Sequence, residues 1–100
     1  MKIARTTRRP SARARVVGDV LERRREQDER WSFDTWRTCS DGDRLAVLTE
    51  ELGEVAAELA AGLDRRVAGA GDVDHDRLRQ ELLDLTAVGF KWLELLEETA

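Results

Sequence analysis

RLAVLTEELGEVAAELAAGL, residues 44–63, and DRLRQELLDLTAVGFKWLELLEE, residues 76–98, decide the fold. At about 100° per residue, Leu48, Leu52, Val55 and Leu59 line up as a narrow apolar stripe on the first segment. Leu78, Leu82, Leu85, Gly89 and Leu96 do the same on the second. Both segments read as amphipathic helices, the first from near Asp43 to about Leu63 and the second from near Asp74 or Asp76. Asp41 or Asp43 can cap the first by accepting its orphan amides, and Gly62 can loosen its end. Between them DRRVAGAGDVD, residues 64–74, reads as a loop around Gly69 and Gly71. Upstream, SFDTWRTCSDG, residues 32–42, shows neither a 3.6-residue period nor alternation, so it reads as a connector carrying Phe33 and Trp36. Pro10 and Ser11 mark a further helix entry, and Val16, Val17, Val20, Leu21 and Arg24 follow helical spacing up to about Trp31. The run LERRREQDER, residues 21–30, is so densely charged that one face of this helix must be solvated.

The composition agrees with a helical reading. The chain has 100 residues, 41% hydrophobic and 38% charged, which is one small domain. No apolar run approaches the roughly 20 residues of a membrane span. The basic start lacks the apolar stretch of a secretory signal. A single cysteine, Cys39, makes no internal disulfide and points to a reducing, cytoplasmic setting. Seven glycines and one proline argue against an all-β fold with many turns.

The net charge of −4 hides an asymmetry. Lys2, Arg5, Arg8, Arg9, Arg13 and Arg15 give the first 15 residues six positive charges and no negative one, leaving −10 on the rest. Residues 1–15 therefore read as a basic arm and residues 16–100 as a single helical domain. The arm can meet a polyanion, pair with an acidic surface, or remain solvated. It has no aromatic residues among its arginines, so nucleic acid is not the expected partner.

The chemistry lies in the acids. Glu51, Glu54 and Glu58 flank the stripe of the first long helix, and Glu50 lies nearly opposite that stripe. Glu81 and Asp84 flank the stripe of the second at a similar offset. Each helix thus carries acids three residues apart beside its seam. If the helices pack by those seams, four carboxylates converge and repel one another unless a cation joins them. Oxygen-only ligands suit Mg²⁺ or Mn²⁺, in the kind of site that activates water and clamps a polyphosphate. Read blandly, such acids are solvated helix surface.

The paired motifs EELGE, residues 50–54, and ELLD, residues 81–84, with their helical surroundings, resemble the MazG-like nucleotide pyrophosphohydrolases of the all-α nucleoside triphosphate pyrophosphatase superfamily. The resemblance covers residues 43–96 well and 20–42 more loosely. It implies Mg²⁺-dependent hydrolysis of a nucleoside triphosphate to the monophosphate and pyrophosphate. On that resemblance Glu51, Glu54, Glu81 and Asp84 would be the metal ligands. Glu50 would match the first acid of the motif, in an outer role or against a neighbouring chain. A metal-bound water would attack the α-phosphorus with one glutamate as general base.

Trp31, Phe33 and Trp36 can stack on a base or cover the end of the bundle. The resemblance favours Trp31, because family members place a tryptophan before this helix. Lys91 is a candidate phosphate ligand or a solvated lysine. Arg44, Arg65 and Arg66 are weaker phosphate candidates, and Trp92 falls on the seam as core or oligomer interface. His75 and Cys39 receive no chemical role. Gly53 and Gly89 would let helices approach closely. The first helix is too polar to close a monomeric bundle, and family members pair chains. The expected architecture is thus an all-α helical bundle of three main helices completed by a homodimer or tetramer. No basic or asparagine-containing motif follows the last helix to finish a phosphate clamp. The alternative is a non-catalytic helical interaction module whose basic arm binds a polyanion or a protein partner.

Overall fold

The computed structural model describes residues 8–98. Lys2 and Arg5 of the basic arm lie outside them. The described chain is all-helical: α1 (Ala12–Arg30), α2 (Phe33–Thr38), α3 (Asp41–Val67) and α4 (His75–Glu98).

Three of the four helices begin on a serine. The side chains of Ser11, Ser32 and Ser40 accept the amides of Ala14, Thr35 and Asp43. Each satisfies a donor that the first turn leaves orphaned. At α3 the cap is reciprocal, because Asp43 Oδ2 accepts the Ser40 amide at 3.0 Å. Ser40 is therefore the cap, and the two aspartates expected in that role lie inside the first turn. Asp74 opens α4, its Oδ1 accepting the Arg77 amide at 3.1 Å.

The expected connector contains α2. Six residues are too few for a 3.6-residue repeat to register, and this helix buries one side chain, Trp36. Arg44 holds α2 in place from α3. Its guanidinium donates to the Trp36 carbonyl at 3.0 and 3.3 Å and pairs with Asp41 at 2.9 Å. The Trp36 carbonyl, which also accepts the Cys39 amide, is thus tied to a buried cation.

The long helices form one layer with α4 at its centre, packed against both α1 and α3. Cross-helix pairs give the directions. Asp19 meets Arg79, Arg23 meets Asp84 and Asp28 meets Lys91, so α1 and α4 run parallel. Glu58 meets Arg77 while Glu51 lies beside Asp84, so α3 and α4 run antiparallel. Trp36, Val88 and Leu95 form the buried core, with Trp31, Phe33, Val47, Leu48 and Trp92 packed around it. That core lies where α2 joins the start of α3 to the end of α4.

One layer cannot enclose much apolar surface. The radius of gyration is 17.9 Å, against about 13 Å for a compact chain of this length. The apolar stripes split accordingly. Val55 is buried and Leu48 half-buried, but Leu52 and Leu59 on α3 are exposed, as are Leu82, Leu93 and Leu96 on α4. On α4 the buried face is instead Leu83, Ala87, Val88, Lys91 and Leu95. Periodicity finds the most apolar face without telling what covers it. A Cβ added at Gly53 or Gly89 would meet nothing within 4 Å, so neither glycine brings helices of this chain together. Among the described residues no helix is long and apolar enough to cross a membrane.

Gly62 is the glycine that packing requires. It sits inside α3, which runs on to Val67, and a Cβ there would lie 2.7 Å from the Val73 Cα. The chain turns only at Gly69, where φ is 67°. Gly62→Ala gains about 1 kcal/mol of helix propensity but forces backbone apart at a cost of about 1–3 kcal/mol. Its net effect in chemical denaturation is expected to be destabilising. Gly18→Ala, with open space around it, is expected to stabilise by up to about 1 kcal/mol.

Candidate functional site

Antiparallel packing of α3 on α4 brings the predicted acids together. One carboxylate oxygen from each of Glu51, Glu81 and Asp84 lies within 4.8 Å of the others. Glu54 is exposed and lies outside this group of three, within hydrogen-bonding reach of Glu81. Glu58 has turned toward Arg77, 3.1 Å away. Glu50 is exposed, as its angle on the helix requires, and reaches the cluster only through its charge on Glu51.

The cluster is strained electrostatically. Burial, then the charges of Asp84, Glu54, Glu81 and Glu50, push the Glu51 carboxyl from an ordinary 4.5 up to about 7. The hydrogen bond with Glu54 and partial burial push Glu81 up as well. Glu51 Oε2 and Glu81 Oε2 are buried with no hydrogen-bond partner. Buried carboxylate oxygens are normally satisfied, so these two are open to a proton or a cation. An all-oxygen set of this kind fits a hard divalent ion such as Mg²⁺ or Mn²⁺.

The predicted substrate residues lie together at the α2 end. Lys91 is 1% exposed and Trp36 0%. The Lys91 ammonium is 3.0 Å from Asp28 and donates to the Trp31 carbonyl at 3.3 Å. It lies 4.5 Å from the Trp31 ring centroid and 5.4 Å from that of Trp36. Trp31 and Trp36 meet edge to face at 5.2 Å. Neither Lys91 nor Trp36 presents a surface to a ligand here, because each is closed in by the other and by α1. Trp31 keeps part of its surface exposed. Among the weaker phosphate candidates, Arg44 is taken up by α2, Arg65 donates to the Asp72 carbonyl at 2.8 Å, and Arg66 faces Asp72 at 3.7 Å.

Two residues at the acid cluster escaped the sequence reading. Arg23 donates to Asp84 Oδ1 at 2.8 Å, and Gln27 donates to the Asp84 carbonyl at 3.2 Å. Both come from the charge-dense run, of which one face was expected to be solvated. Their signal was present, since Val20, Arg23, Arg24 and Gln27 fall on one helical face.

No family model matches this chain, and no curated protein or solved structure matches it.

The raised Glu51 value sets a pH dependence. Between 4.5 and about 7 the folded chain keeps a proton on Glu51 that the unfolded chain has released. That contribution to stability therefore falls as pH rises through this window. In metal-free buffer Tm is expected to decline between pH 5 and pH 8, and Glu51→Gln is expected to flatten the decline. An equally steep decline in the variant would place its origin in another group.

Proposed function

We propose that the chain is a Mg²⁺-dependent hydrolase that cleaves a nucleoside triphosphate to the monophosphate and pyrophosphate. The observation that carries this reading is the convergence of Glu51, Glu81 and Asp84, with Glu54 beside them, on two packed helices. The resemblance of EELGE and ELLD to the MazG-like pyrophosphohydrolases supplies the reaction class. Glu51, Glu54, Glu81 and Asp84 would hold the ion, with Mn²⁺ as a substitute. Such an ion supplies an activated water and neutralises phosphate oxygens. The chain's own part is to hold the carboxylates in register and to carry the proton. Glu51 suits the second task, because its carboxyl is pushed up to about 7 and changes charge near neutrality. Glu50 is left to an outer role.

We assign the base-binding role to Trp31, which keeps part of its surface exposed, whereas half-buried Phe33 lies against the guanidinium groups of Arg24 and Arg37. Trp36 and Lys91 would support it from behind. The enzyme would work in the cytoplasm, where Cys39 stays reduced.

A second copy of the chain would supply the missing layer, as a homodimer or a dimer of dimers. The chain exposes 7513 Å², whereas a folded monomer of its mass exposes about 5,800 Å². A standard interface removes about 800 Å² from each partner, so the surplus is ample for one. Leu52, Leu59, Leu82, Leu93 and Leu96 are the apolar groups such a layer would cover.

The test of the reaction is pyrophosphate release from a panel of NTPs and dNTPs, with Mg²⁺ or with EDTA. Release is expected only with the metal, and Glu81→Gln is expected to lower it by at least about 100-fold, since even outer-shell changes cost 10–100-fold. No release from a folded protein would turn the reading to the non-catalytic helical module. For the assembly, light scattering is expected to give at least twice the 11.4 kDa chain mass, and Leu93→Glu to lower it. A wild-type monomer would remove the second layer from the proposal.

A further inference from the structure

Arg23 reaches from α1 to the acid cluster on α4. Its Nη1 donates to Asp84 Oδ1 at 2.8 Å and to the Gln80 carbonyl at 3.1 Å. Its Nη2 donates to Gln80 Oε1, and its Nε lies 3.3 Å from Glu26. The side chain is only 16% exposed. Among the described residues no other cation is paired with Glu51, Glu81 or Asp84. The guanidinium therefore acts as the resident counter-charge of the cluster. It also ties α1 to α4 at that point.

We propose that Arg23 is a cation-sensitive latch: a divalent ion taken up by Asp84 displaces the guanidinium, and the α1–α4 tie at that point opens. The proposal rests on the reading of the acids as a divalent-cation site. Two cations on one carboxylate repel, and the ion carries the larger charge. The fold provides the arginine with a place to go. Between α1 and α4 lies a cleft of about 270 Å³, lined by Asp19, Glu22, Arg23, Glu26, Arg79 and Gln80. Asp19 is paired with Arg79 and Glu22 with Arg25, whereas Glu26 has Arg23 as its partner. The guanidinium would settle on Glu26, on its own helix. The rest of α1 would stay docked through Arg24–Glu94 at 2.6 Å and Lys91–Asp28 at 3.0 Å. By linkage, the arginine weakens the metal by the same factor that the metal weakens the arginine's hold on Asp84.

Mn²⁺ binding by calorimetry on wild type, Arg23→Gln and Arg23→Lys tests this. Arg23→Gln is expected to bind Mn²⁺ about 5-fold or more tightly than wild type, the lower bound of ordinary site coupling. Arg23→Lys, which keeps the charge, is expected to remain close to wild type. Equal or weaker binding by Arg23→Gln overturns the latch while leaving the metal site standing. No Mn²⁺ binding by wild type or variant overturns both. The second measurement needs no variant. In wild type, NMR should resolve the restrained Arg23 guanidinium protons without metal and lose them when Mg²⁺ saturates the protein. Their persistence at saturation overturns the latch.

Discussion

Three carboxylates held within 4.8 Å of one another repel, and the α3–α4 pair has to keep them there. It does so by fixing both ends of the contact. At one end Val73 closes over Gly62, and Arg77 pairs with Glu58 a turn further in. At the other end Trp36, Val88 and Leu95 form the buried core. The acids sit between these anchors and cannot separate without unpacking one of them. What remains of the repulsion raises the proton affinity of Glu51 and Glu81, and the guanidinium of Arg23 on Asp84 meets part of it. On the proposed reading, a bound cation would relieve the rest.

The α1–α4 contact is of a different kind. Val20 and Leu83 are buried apolar residues there, Gln27 donates to the Asp84 carbonyl, and charge pairs complete it: Arg23 on Asp84, Arg24 on Glu94, Asp28 on Lys91. Buried Lys91 is tolerated because it has a carboxylate, a backbone carbonyl and two aromatic faces around it. Buried pairs like these contribute little net stability, since desolvation opposes the attraction. They do fix register, because each cation on one helix has one matching partner on the other.

How much of this was legible follows from what each signal measures. The two long helices and the acids beside their seams could be read, because an angle of 100° per residue fixes which side chains share a face. Convergence of Glu51, Glu81 and Asp84 follows once the helices pack antiparallel. The helix α2 was not legible, being shorter than two turns, and its one buried residue gives no period. Arg23 and Gln27 were hidden for the opposite reason. They lie in a run so rich in charge that polarity does not separate exposed from buried members, and helical spacing from Val20 is the signal that sets Arg23, Arg24 and Gln27 apart from Arg25 and Arg30. Lys91 and Trp36 could be named but not placed. A lysine between tryptophans reads as a ligand site until packing shows that the rings enclose it.

The exposed leucines and the acids are adjacent along the chain. Leu52 follows Glu51 and is 55% exposed, and Leu82 follows Glu81 and is 43% exposed. The acid cluster therefore lies at the border between the face that α3 and α4 bury in each other and the face they leave open. On the proposed assembly, a second layer laid over those leucines takes water from the carboxylates in the same step. Losing water makes unpaired charge on Glu51 and Glu81 more costly, and it strengthens their attraction for a cation. Covering the leucines and filling the site are thus coupled. On that proposal each favours the other, and a covered cluster without its ion is the arrangement in which unpaired charge costs most.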